Sequence, residues 1–215
     1  MYYVSHLLSL PCGIKPIAYI GGILPDFLHL RGERLTSKHI KNIGCPCLKR
    51  GIRHHIEMDR YFHQNILPRY QSLIQDVWAS RHKSFPKRRY FFFHLVTEVM
   101  LDLLLLDIAY WEVSRKLFKI DTAVLNNSKS ILINIGISFR NVENLFQFMR
   151  RKWILRLSFD HIIFIVKRRD RMWGTLPDGW QQTIVLAKED LKRDIKTFYE
   201  WLHDFGFGLW FQLDS

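Results

Sequence analysis

His55, Asp59 and His63 recur at intervals of four in the stretch GIRHHIEMDRYFH, residues 51–63, so on an α-helix each lies only about 40° around the axis from the last. Imidazole, carboxylate and imidazole then point the same way. Neutral imidazole nitrogen and carboxylate oxygen are the usual ligands of a divalent metal of intermediate hardness, such as zinc, manganese or iron. The bland reading of the same spacing is a surface ion pair. His94, Glu98 and Asp102 repeat the pattern within RRYFFFHLVTEVMLDLLLLDIAYW, residues 88–111. A carboxylate buried in so apolar a helix needs a cation, a metal or a histidine partner, because uncompensated it costs several kcal/mol or takes up a proton; the alternative is a stripe facing solvent through a gap. His6 and Asp26 supply a third set. Helical bundles build metal sites in this way, from side chains projecting inward on facing helices. The remaining histidines, His29, His39, His54, His82, His161 and His203, have no such spacing and read as surface or satisfied core residues.

The elements that must carry these groups are helical throughout. Tyr2 to Leu10 is a short apolar stretch ended by Pro11 to Gly13, and Pro25 is expected in the first turn of a helix, which puts Asp26 near a helix start. Thr36 to Leu48, with the CPC of Cys45 to Cys47, reads as an irregular basic connection. Helices are expected from about Lys49 to Leu67, from Pro68 to about Arg81, and from Pro86 to Phe118, the last capped by Ser84. Ile131 to Phe139 is assigned as a buried helical turn rather than a lone strand. Val142 to Arg171 and Lys188 to Phe205 give two more helical patterns. The aromatic end, FGFGLWFQLDS, is expected to pack as an arm or to stay mobile.

At 215 residues, 48% hydrophobic and 24% charged, the composition is globular and fits one all-α domain. The helix around Leu101 is hydrophobic nearly all round, which fits either a bundle core or a membrane span. Glu98, Asp102 and Asp107 decide against the span, since each would cost about 2.5 to 3.5 kcal/mol in mid-bilayer. Three cysteines make no disulfide framework and fit a reducing, cytoplasmic setting, and the apolar N-terminus lacks the basic residues of a signal peptide. A net charge of +12 predicts an anionic partner, whether phosphodiester substrate, acidic protein, nucleic acid or lipid. Arg53, Lys87, Arg88 and Arg89 are the expected substrate contacts.

With HLLSL near the start, GGILPDFLHLRG, GIRHHIEMD and TEVMLDLLL, the chain resembles the bacterial acyl carrier protein phosphodiesterases, HD-type metal-dependent phosphohydrolases. The resemblance implies an HD-type helical bundle, a divalent ion (manganese first; magnesium, iron or zinc as alternatives), and hydrolysis of the phosphodiester joining phosphopantetheine to an acidic carrier protein. It also implies metal ligation by His6, Asp26, His55, Asp59 and Asp102. The chain departs from the family at Phe62 and His63, where a Thr-Asp pair is usual, and at Leu103, where a histidine is. His63, His94 and Glu98 are left as candidate acid–base residues, since imidazole titrates near neutral pH and could protonate a leaving alkoxide. The competing expectation is a non-catalytic basic helical module that binds nucleic acid or another anion, with binding that weakens steeply in salt and does not depend on His55.

Overall fold

The aromatic end does not leave the body of the protein. In the computed structural model it completes α11, Trp180–Gln212, with Trp210 buried and the Arg50 guanidinium 4.0 Å from the centre of its ring. Residues 3–168 and 170–213 are described; Tyr2, Arg169, Asp214 and Ser215, which fall in stretches discussed above, lie outside them, as does Met1. Among the described residues there is no strand, and no helix is long and apolar enough to cross a membrane.

Along the chain, α1 is Tyr3–Ser9, α2 Ile17–Leu30, α3 Ser37–Lys41, α4 Pro46–Tyr61, α5 Leu67–Ala79 and α6 Arg89–Phe118. Then come α7 Thr122–Asn134, α8 Phe139–Arg150, α9 Phe159–Arg168 and α10 Asp170–Trp173, ahead of α11. Phe62–Ile66, between α4 and α5, is a single π-helical segment. Pro68 in the following turn has no N–H to give the carbonyl four residues back, which favours a widened turn there. One contiguous apolar core runs through these helices, with the middle of α6, from Phe92 to Leu106, almost wholly buried.

Several boundaries differ from those expected. Asp26 is well inside α2, which starts at Ile17 after Pro16, and Pro25 is an interior proline. Cys45 caps α4 and Pro46 takes its first turn, so the CPC stretch begins the helix instead of preceding it. Thr36 opens α3 through a capping box with His39, where no helix was expected. The helix expected from Pro86 begins at Arg89, because the Lys87 N–H is given to the Trp173 carbonyl (2.7 Å) and Arg88 is left-handed at φ 52°. Val142 to Arg171 is broken after Arg150, where Lys152 takes φ 49°, so α8, a 3-10 turn at Trp153–Arg156 and α9 replace one helix.

Two close approaches fix the site. A Cβ on Gly51 would collide with the Ala18 carbonyl oxygen, and one on Gly21 would lie 2.5 Å from that of Leu48. The two glycines thus let α2 and α4 pack backbone against backbone. Gly206 of α11 does the same for the end of α1, where a Cβ would meet the Ser9 carbonyl oxygen at 2.5 Å.

Candidate metal centre

The glycine contact between α2 and α4 brings the Gly22 carbonyl to 2.8 Å from His55 Nδ1. That carbonyl can only accept, so Nδ1 carries a proton and Nε2 is the nitrogen left to bind a further proton or a metal. Nε2 lies 3.5 Å from Asp26 Oδ1, and His6 Nε2 lies 3.7 Å from Asp26 Oδ2. The two imidazoles stack with centroids 3.7 Å apart. His6 and His55 are buried and Asp26 is partly exposed. Ligand atoms of all three residues fall within 4.8 Å of one another, so the group could hold a metal ion.

The electrostatics favour a cation at this point. Burial, reinforced by the neighbouring His55, lowers His6 to about 3 and keeps its ring neutral, the form that ligates. Burial would raise Asp26, but the charge and hydrogen bond of His55 hold it well below the usual carboxylate range. Burial likewise opposes charge on His55, yet Asp26 outweighs it and raises the ring above its ordinary value. A carboxylate facing two imidazoles therefore attracts positive charge, as a proton or as a metal ion.

A second group lies about two turns beyond His55, in the π-helical segment after α4, and across on α6. His63 Nε2 is 3.0 Å and His94 Nε2 3.2 Å from the same Oε1 of Glu98, and the two rings are 4.9 Å apart. Ligand atoms of these residues also fall within 4.8 Å of one another. Glu98 is buried, yet the bonds from His63 and His94 overcome burial and hold it well below the usual range. Asp59 stands between the groups. Its Oδ2 is 3.2 Å from His63 Nδ1, and despite burial the bond from His63 and the charges of His63 and His55 lower it. With a carboxylate at each ring nitrogen, His63 is a doubly protonated imidazolium; burial opposes this, but Asp59 and Glu98 raise it to about 9.

The helical spacing thus unites His6, Asp26 and His55, joins His63, His94 and Glu98, and puts Asp59 next to both. Asp102 belongs to neither group, which corrects its expected place among the ligands. Its Oδ2 accepts from the Val4 N–H (3.0 Å), and Oδ1 from the Ser5 N–H (3.1 Å) and hydroxyl (2.9 Å). It holds the first turn of α1, which carries His6. Burial pushes Asp102 up to about 7 even though these three donors favour the ionised form. Arg53 is exposed and two residues from buried His55, so it sits on the far side of α4 from the ligands. Lys87, Arg88 and Arg89 are exposed ahead of His94, with Arg89 over the ring of Phe85. His54 is a satisfied core histidine, bonded to the Gly206 carbonyl at 2.9 Å and lowered by burial to about 4.

Spacing gave no sign of Lys116 or Glu112. The Lys116 ammonium, buried on α6, bonds the carbonyls of Leu7 (2.8 Å), Leu8 (3.3 Å) and Leu10 (2.7 Å), and Glu112 at 2.7 Å. It closes the C-terminal end of α1 as Asp102 closes the other. The available signal was charge alone, two ionisable residues four apart in an apolar helix.

A cleft of about 770 Å³ opens between α2, α8 and α9. Tyr3, one turn before His6, and Phe27, next to Asp26, form part of its floor with Phe148, and Arg31, Arg151 and Arg168 line it. Scans of protein-family models, curated proteins and solved structures found no match to this chain.

Proposed function

We propose that the protein is a metal-dependent phosphodiester hydrolase whose ion is held by His6, Asp26 and His55. The observation that carries this reading is the convergence of two stacked imidazoles on one carboxylate, with His55 oriented from behind by the Gly22 carbonyl. What a divalent ion supplies when bound is Lewis acidity, polarising a phosphoryl oxygen and acidifying a water. Asp59, ionised and partly exposed beside that position, accepts the proton of the attacking water. The charge on His63 offsets the charge growing on the leaving alkoxide, and Glu98 and His94 hold its ring. The arginine-lined cleft and the charge of +12 suit an anionic substrate with an apolar portion.

The all-helical architecture and the sequence resemblance support an HD-phosphohydrolase-type bundle, manganese as the first metal to try, and an acyl carrier protein's phosphopantetheine ester as the first natural substrate. Metal analysis after loading with Mn²⁺, followed by hydrolysis of bis(4-nitrophenyl) phosphate, tests the reading. Bound manganese and turnover are expected, and both should be lost in Asp26→Ala. A protein that binds no divalent ion, or turns over equally well after chelation, would not be this enzyme.

A further inference from the structure

We infer that His63, His94 and Glu98 form a second divalent-cation site. The inference rests on the metal-dependent reading of the first group, but its own residues carry it. Two helical segments contribute, since His63 lies in the π-helical segment after α4 and His94 and Glu98 lie on α6. Glu98 is buried in the apolar middle of that helix, where a carboxylate is retained only with positive charge beside it. Both imidazole Nε2 atoms converge on one carboxylate oxygen from nearly the same distance, 3.0 and 3.2 Å. His94 Nδ1 is buried without a hydrogen-bond partner among the described residues.

The position of the π-helical segment supports the same assignment. A widened turn shifts the residues that follow it around the helix axis, and single π turns recur at functional sites. Here it falls at His63, the residue that turns from the α4 stripe towards Glu98. Two nitrogens and a carboxylate suit manganese, iron or zinc.

Metal content measured by mass spectrometry after Mn²⁺ loading and gel filtration separates the possibilities. About two equivalents per chain are expected. His94→Ala and Glu98→Gln should each leave about one equivalent, with helical circular dichroism intact. If either variant fails to fold, the other and the count in the unaltered protein decide. One equivalent in the unaltered protein, or two retained in a folded variant, would overturn the second site while leaving the hydrolase reading standing. No bound manganese at all would overturn both.

Discussion

Asp102 and Asp59 show how one residue type takes opposite roles at similar helical spacing. Asp59 is partly exposed and faces two imidazole groups, whereas Asp102 spends both oxygens on the backbone and hydroxyl of α1. Replacing Asp102 by Asn leaves one acceptor oxygen where two are used and turns an amide N–H towards donors that already point inward. Hydrogen bonds to a charged group are worth about 1.5–3 kcal/mol, so Asp102→Asn should cost about 2–4 kcal/mol in urea unfolding and weaken metal affinity through His6. Unchanged affinity would mean that α1 does not depend on this anchor. The sequence made His55 and Asp59 legible because helical spacing reports which residues share a face. It could not separate Asp102 from His94 and Glu98, because what crosses that face is the start of α1, 97 residues away for Ser5.

At the scale of elements, α1 is only seven residues long and far too short to persist alone. Carboxylate at its N-terminal end and ammonium at its C-terminal end, both from α6, complement its dipole and its unpaired backbone groups. Glu112 completes the clamp by binding Lys116 (2.7 Å), the Tyr199 hydroxyl (2.8 Å) and His203 (3.2 Å), so α6 and α11 meet there. Burial opposes ionisation of Glu112, but these partners hold it well below its ordinary 4.5. A depressed carboxylate adds stability above its unfolded value and loses it as pH falls through the folded one. The melting temperature should therefore drop below about pH 4.5, and Glu112→Gln should start lower at pH 7 while its deficit shrinks with acid; a constant deficit would exclude the linkage. Gly51→Ala is the matching test of the α2–α4 contact, expected to cost about 1–3 kcal/mol, or about 2–12 °C at 2–4 °C per kcal/mol, and to part His55 from Asp26. The helix boundaries missed from the sequence share a cause. Arg88 and Lys152 are left-handed without being glycine, and Pro25 sits inside a helix, so local residue preferences pointed away from what tertiary packing imposes.

Over the whole molecule, the fold class was legible because apolar periodicity recurs with few breaks, and the charge because it is a sum. Where that charge would meet a substrate was not, since Arg31, Arg151 and Arg168 come together only when α2, α8 and α9 do. Among the described residues, no carboxylate lines that cleft. If it receives the anionic substrate, Arg31→Glu should raise KM for bis(4-nitrophenyl) phosphate about threefold to tenfold with kcat little changed, because the side chain acts on binding and not on the ion. The long-range part of the attraction is screened by salt, with a Debye length near 10 Å at 0.1 M. Raising ionic strength from about 20 to about 200 mM should then lower kcat/KM for the anionic diester severalfold, and the slope should be shallower in Arg31→Glu. A neutral phosphotriester of similar size should show almost none of this dependence. Equal salt slopes for the charged and neutral esters would mean that the net charge of +12 does not guide the substrate and serves some other contact.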